Sequence, residues 1–250
     1  MAIYVVNKDN RMVRDKICIV YNTVIMPVHK KYDKDFFKTW SSDMAYILGF
    51  MYADGNIMEG KRGNHYVAIY TADDDLLVKM ARCMQSDHKI AERISDTGSN
   101  FRIQIGSKEW FHDLGLLGLF PDKTARMRLP KIPQEYFGDF VRGYFDGDGS
   151  VWSGLMHKKR PTMTLTIQVT FTSCSQDYLQ DLYSALQSVG IRGGSIFVPK
   201  SANCARLTFS SNDALKIYNI MYNAGHNLFL KRKKVVFDKF IQNCGRSSTG

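Results

Sequence analysis

Two short stretches, GFMYADGNI at 49–57 and GYFDGDGSV at 143–151, constrain this chain more than anything else in it. Each is an apolar run that breaks at Asp-Gly. The run MAYILGFMYA (44–53) is apolar nearly all round. It therefore predicts a buried helix rather than a surface one, over about 43–54, capped by Ser41 or Ser42. Its counterpart is expected over about 134–147, after Pro133. Gly49 and Ala53 lie four apart and share a face, and so do Gly143 and Gly147. Small residues at that spacing let helix backbones approach closely. The two helices are expected to pack on each other and form a seam.

Other segments repeat in the same order. VAIYTADDDLL (67–77) matches VTFTSCSQDYL (169–179), FRIQIGSKEWFHDLGLLG (101–118) matches ARLTFSSNDALKIYNIMYNAG (205–225), and FPDKTAR (120–126) sits where FLKRKKV (229–235) does. The offset only grows along the chain, as it should for collinear copies with longer loops in the second. Two periods of this length mean a duplicated domain, not a solenoid. Each half reads helix, strand, strand, helix, strand, strand, helix. The fold class is α+β: two αββαββα halves, each with a four-stranded antiparallel sheet. The hairpins are 56–62 with 65–72 and 149–157 with 162–173. The expected division is an extension at 1–32, a first half at 33–120, a Pro-containing basic linker at 121–133, a second half at 134–243 and a loose tail at 244–250.

A carboxylate at a helix C-terminus is unfavourable, because that end already carries partial negative charge. Packing the two helices would crowd Asp54, Asp148 and the free carbonyls of Ala53 and Gly147 into one small volume. Such an oxygen-only, negative set suits a hard divalent cation, Mg²⁺ first. A plain polar turn after each helix is the simpler reading of either copy, and its recurrence at matched places argues against it. Gly55 and Gly149 read as ordinary C-caps. Asp146 has Tyr52 in its place in the first half, so it is read as a helix-end hydrogen-bonding group. The acids of ADDD (72–75) are explained by capping and dipole. Trp40, Trp110 and Trp152 read as core or core-edge residues.

The 34 Lys and Arg against 24 Asp and Glu give a net charge of +10 and a pI near 9.3, which calls for a polyanion, nucleic acid ahead of anionic membrane. No run reaches the roughly 18 apolar residues of a membrane span. The first residues, MAIYVVNKDNRMVRDK, show no secretion signal, so an intracellular place is expected: cytoplasm, nucleoid or an organelle. Five scattered cysteines, Cys18, Cys83, Cys174, Cys204 and Cys244, lack metal-ligand spacing and read as buried free thiols.

At this point ILGFMYADG (47–55) and VRGYFDGDG (141–149) resemble the two signature motifs of single-chain LAGLIDADG homing endonucleases. FFKTWSSDMAYILGFMYADG, FRIQIGSKEW, LPKIPQEYFGDFVRGYFDGDGS and FTSCSQDYL extend the resemblance over about 35–240. It implies a saddle of two sheets over a DNA major groove, with the motif helices at the centre. It implies that Asp54 and Asp148 hold divalent metal and direct hydrolysis of one phosphodiester on each strand, leaving short 3′ overhangs. The family's basic residue near the last helix of each half carries over to Lys123 and Lys233, with Lys231 as a rival for the second. A further polar position falls on Thr71 and Ser173, where the family often has Gln or Lys.

Strand alternation puts Met163, Leu165, Ile167, Val169 and Phe171 towards helices, and Thr162, Thr164, Thr166, Gln168 and Thr170 on the open face. That polar face, with Arg102, Gln104, Arg206 and Thr208 from the later strands, suits base edges. Tyr66 and Tyr70 join this DNA-binding set. Lys61 and Arg62, and Lys158, Lys159 and Arg160, sit in hairpin loops that would reach phosphates or flanking bases. The expected function is a monomeric, site-specific double-strand DNA endonuclease using Mg²⁺, with Mn²⁺ or Ca²⁺ able to substitute for binding, and with no membrane partner. Two alternatives use the same fold: an RNA maturase and a DNA-binding regulator. Loss of either motif acid would favour them, and both acids are present. A paired-carboxylate glycosidase fits a +10 chain poorly.

Overall fold

A computed structural model of the chain describes residues 5–6, 12–13, 30–96, 98–156, 164–199, 203–223 and 227–247. Within the N-terminal extension, β1 (Val5–Val6) pairs antiparallel with β2 (Met12–Val13). Helix α1 (Ser42–Asp54) starts at Ser41, whose hydroxyl accepts the Met44 N–H at 3.1 Å. Every residue from Met44 to Tyr52 is buried. The first half continues through β3 (Gly55–Glu59), β4 (His65–Thr71), α2 (Asp74–Cys83), β5 (Ala91–Ser95), β6 (Gly98–Gly106) and α3 (Lys108–Leu116).

The second half repeats this order as α4 (Phe137–Asp148), β7 (Gly149–Met156), β8 (Thr164–Ser173), α5 (Gln176–Ser188), β9 (Ser195–Phe197), β10 (Ala205–Ser210) and α6 (Ser211–Tyr222). The expected start of α4 at 134 is a 3₁₀ turn over Gln134–Tyr136, and α geometry begins only at Phe137. A last helix, α7 (Lys231–Ser247), follows. It has only a 3₁₀ turn at Lys123–Ala125 as counterpart, and it takes in 244–247, which the sequence reads as a loose tail.

Both sheets are antiparallel, in the orders β3-β4-β6-β5 and β7-β8-β10-β9. Ile57, Val67, Ile69, Ile103 and Ile105 of the first sheet are buried in the core, as are Ile167, Val169, Phe171, Leu207 and Phe209 of the second. The alternate residues form the opposite face. The period-2 pattern thus sorts both sheets as expected.

Helices α1 and α4 pack at the closest approach a backbone allows. A Cβ on Gly49 would lie 2.1 Å from the Phe140 carbonyl oxygen, and one on Gly143 would lie 2.0 Å from that of Tyr46. The contact is reciprocal, which is what a seam between two copies requires. Gly55 and Gly149 are the C-caps expected, their N–H groups donating to the carbonyls of Met51 and Phe145, but not in the usual conformation. Both are extended rather than left-handed caps, with φ of −90° and −95°. Glycine is needed there for space: a Cβ would come within 2.6 Å of the Met51 backbone and 2.3 Å of the Phe145 ring.

The cysteines also differ from expectation. Cys174 and Cys204 form a disulfide, and Cys83 and Cys244 are free. Ser173 and Ala205 face each other as the last rungs of the β8–β10 ladder, which brings the two cysteines beside them together. Cys244 is exposed and Cys83 half-buried, so neither is the buried thiol expected; Cys18 lies outside the described residues.

Candidate nuclease centre

The two helices end side by side, and their last residues are Asp54 and Asp148. Gly147 leaves the room for this: a Cβ there would lie 2.3 Å from Ala53 Cβ and 3.3 Å from Asp54 Oδ2. Burial pushes the Asp54 carboxyl above its ordinary value, while Lys233 and Lys123 pull it back. Asp148 is pushed up to about 6, first by burial and then by the Asp54 charge, again opposed by the two lysines. The centre is therefore two half-buried acids repelling each other, flanked by two cations.

Both cations are buried, Lys123 at 9% exposure and Lys233 at 7%. Lys233 Nζ donates to the carbonyls of Phe145 (2.7 Å), Asp146 (2.8 Å) and Gly149 (2.6 Å), and so caps the end of α4. Lys231 is exposed, so Lys233 is the lysine of KRKK at the centre. Lys123 Nζ makes one long contact, 3.4 Å, to the Ala53 carbonyl at the end of α1. Burial lowers the Lys123 ammonium against the attraction of Asp148 and Asp54. It lowers Lys233 to about 8.

A supporting layer holds these groups. Asp146 Oδ2 accepts the Tyr46 hydroxyl across the seam and the Leu230 N–H, each at 2.8 Å. Leu230 is the residue just before α7, so Asp146 fixes the helix that carries Lys233. In the first half Tyr52 takes this part: its hydroxyl donates to the Leu117 carbonyl at 2.8 Å, pinning the segment that leads to Lys123. Arg142 is buried and donates to Leu228, Met221 and Asp139. Thr71 and Ser173 are buried turn-formers, accepting the N–H of Asp73 and Ser175 at 3.1 Å each. Asp73 does not cap α2 through its side chain; its carboxylate lies 3.4 Å from Arg232 instead, tying the halves together.

A divalent cation is compatible with this donor set, which is two carboxylates and the backbone carbonyls of two helix ends. Among the described residues, no three His, Cys, Asp or Glu side chains gather into a metal-ligand cluster. Hard oxygen ligands from Asp54, Asp148, Ala53 and Gly147 would have to suffice.

The open sheet faces carry most of the remaining sequence candidates. Tyr66 lies opposite Gly106, Ala68 opposite Gln104 and Tyr70 opposite Arg102. In the second sheet Thr164, Thr166, Gln168 and Thr170 line β8, with Arg206 opposite Thr172. Thr208 and Thr170 share a hydrogen bond of 3.1 Å. Lys61 and Arg62 are exposed at the β3–β4 turn. Lys158, Lys159, Arg160, Thr162 and Met163 lie outside the described residues. Trp152 corrects an expectation: it is 47% exposed and sits opposite Gln168 on the open face, although Trp110 is core. Alternation from Gly149 would have placed it there.

With this geometry described, known proteins can be compared. Residues 136–219 match the LAGLIDADG-like domain. The structure of I-LtrWI, a LAGLIDADG homing endonuclease bound to target DNA, superposes with a TM-score of 0.55 at 12% identity, covering 86% of this chain and 92% of that one. A mesophilic variant of the homing endonuclease I-DmoI gives 0.51 at 15% identity, covering 74% and 97%. I-SmaMI bound to an uncleaved DNA target in the presence of calcium ions gives 0.51 at 13% identity, covering 76% and 87%. In sequence, 153 residues are 28% identical to "Probable translation initiation factor IF-2" of Thermococcus kodakarensis, over 58% of this chain and 12% of that protein. Another 115-residue match, 27% identical, is to "Uncharacterized protein MJ0398" of Methanocaldococcus jannaschii, over 45% of this chain and 41% of that one. The chain thus spans 12% and 41% of the length of these two relatives. It carries a LAGLIDADG-like domain and has the fold of the LAGLIDADG homing endonucleases.

Proposed function

We propose that this protein is a monomeric, site-specific endonuclease that hydrolyses both strands of a long double-stranded DNA target, leaving short 3′ overhangs. The observation that carries the reading is the pair Asp54 and Asp148 at touching helix ends, flanked by buried Lys123 and Lys233. The fold it shares with I-LtrWI, which is bound to target DNA, supports it.

Duplex DNA lies along the open faces of both sheets. Arg102, Gln104, Gln168, Thr170, Arg206 and Thr208 present donors and acceptors to base edges in the major groove. Lys61 and Arg62 meet phosphates. The scissile phosphates sit over the seam. A divalent cation, Mg²⁺ for cutting with Mn²⁺ or Ca²⁺ able to replace it in binding, would be held by Asp54, Asp148 and the Ala53 and Gly147 carbonyls, and would supply an activated water and Lewis-acid stabilisation of the phosphate. Lys233 has all three donors committed to carbonyls, so it acts as a fixed charge facing the pentavalent phosphate. Lys123, with one long contact, is free to turn its ammonium towards the attacking water or a phosphate oxygen.

The test is cleavage of a randomised duplex library with Mg²⁺, Ca²⁺ or EDTA. Cutting at one long site with Mg²⁺ alone is expected. Selective binding without cutting under every metal would overturn the nuclease reading and favour the maturase or the DNA-binding regulator.

A further inference from the structure

At the outer end of the first sheet lies an open cleft of about 1170 Å³ that the nuclease centre does not use. Lys30, Lys31, Lys34 and Lys108 line it, with Glu109 as its lining carboxylate. Among the described residues none of these four lysines is held in an ion pair, whereas nearby Lys38 is tied to Asp35. Glu109 accepts the Ser107 hydroxyl at 3.1 Å, and its carboxyl is held below the ordinary range by hydrogen bonds and by Lys34 and Lys38. Four lysines against one carboxylate make the lining net positive, with Asp87 close enough to His88 on the same wall to offset part of the effect of Lys30.

The cationic wall is an ordered part of the fold. The Asp33 N–H donates to Met84 O at 2.9 Å, the Asp87 N–H donates to Lys31 O at 3.1 Å, and Trp110 Nε1 donates to Asp33 O at 2.9 Å. Tyr32 packs edge-on against Trp110, with ring centroids 5.1 Å apart. The segment carrying Lys30, Lys31 and Lys34 is thus stitched to the loop after α2 and to α3.

The cleft also joins the DNA face. Tyr66 and Gly106 line it, and they are the outermost opposed pair of the β4–β6 ladder on that face. Asn64, at the end of the Lys61–Arg62 turn, lines it too. A duplex running outward along the first sheet would reach Tyr66 and Gly106 at its end, where the cleft begins.

We propose that the cleft binds the phosphate backbone of the DNA arm flanking the target, beyond the base pairs that the first sheet reads. This rests on the DNA-binding reading above and adds a second, sequence-independent contact. Each phosphate neutralised releases counterions, so the salt dependence of binding counts the phosphates engaged.

The test compares the parent with K30A/K31A/K34A/K108A on library-selected target duplexes that either extend about ten base pairs past the first-half side or stop at its edge. On the extended duplex the variant is expected to flatten the slope of log Kd against log salt by about 0.9 for each phosphate it no longer neutralises, about two to four in all. On the cut-back duplex parent and variant should coincide. An unchanged slope on the extended duplex, with selective binding intact, overturns the cleft and leaves the DNA reading standing. An equal loss on both duplexes also overturns it, because the lysines then act through general charge. A loss confined to single-stranded RNA of matched length would reassign the cleft to RNA. A parent that binds no duplex fails both proposals together.

Discussion

Gly143→Ala tests the seam. In the middle of a helix this change ordinarily stabilises, by up to about 1 kcal/mol. Here the new Cβ would stand 2.0 Å from the Tyr46 carbonyl oxygen and 2.9 Å from Phe50 N, where an ordinary contact begins at 3.4 Å. Both neighbours are backbone of the buried stretch of α1, so neither can swing aside. The helices must part at a point packed on both sides by Tyr46, Phe50, Phe140 and Tyr144. Overpacking of this kind costs about 1–3 kcal/mol or more. After the gain in helix propensity, a net loss of about 1–2 kcal/mol is expected. In a chain of this length that lowers Tm by about 2–4 °C per kcal/mol. Gly115→Ala is the control, because Gly115 lies in α3 with nothing within 4 Å of its Cβ position. Calorimetric unfolding of both variants should show opposite signs. Parting the helices also moves Asp54 from Asp148, so DNA cleavage should fall further than DNA binding. A Gly143→Ala protein as stable as the parent would refute the close-packed seam.

Other expectations concern the centre and the reading face. Asp148→Asn should end cleavage while binding survives. The carboxyl's pKa rises on folding, so the parent sheds stability as pH climbs from the ordinary 3.8 through about 6. Urea midpoints of the metal-free proteins should therefore separate across that window, with the Asn variant more stable above it, and coincident curves would remove the burial argument. Lys233→Met should cost about 1–3 kcal/mol by stripping donors from three carbonyls. Lys123→Met, which gives up one contact of 3.4 Å, should cost less in the same denaturant titration. Arg102→Ala should relax preference at one base position by about 1–3 kcal/mol in a competition assay, and a uniform loss over all sequences would make it a phosphate contact.

Much of this is legible in the sequence because the signals are local or duplicated. The apolar run of α1 and the period-2 strands fix their own faces, and matched small residues foretell the seam before any contact is visible. Contacts made by folding leave no such trace. Cys174 and Cys204 meet only through the register of β8 and β10. Nothing near Asp146 announces that it holds Leu230 and Tyr46, and neither residue lies close in sequence. Lys231 and Lys233 look alike along the chain, and only the direction of α7 separates the exposed one from the buried one. The cleft lysines are unremarkable until Asp33 and Lys31 dock on the loop after α2. Trp152 misleads for a different reason: its size suggests the interior, although its position in the hairpin register puts it outside.

The reciprocal contacts of Gly49 with Phe140 and of Gly143 with Tyr46 divide the molecule into what must stay alike and what is free to diverge. At the seam, each copy is the mould of the other, and a change in one is felt at once by its twin. Among the described residues no such glycine contact joins the two sheets, and their open faces already differ, with tyrosines and Gln104 on one and a threonine row with Trp152 on the other. If the chain reads DNA as proposed, carrying both halves in one chain would free it from a palindromic target. On that reading, drift in either half would retune one arm of the target while the paired acids at the seam stay as they are.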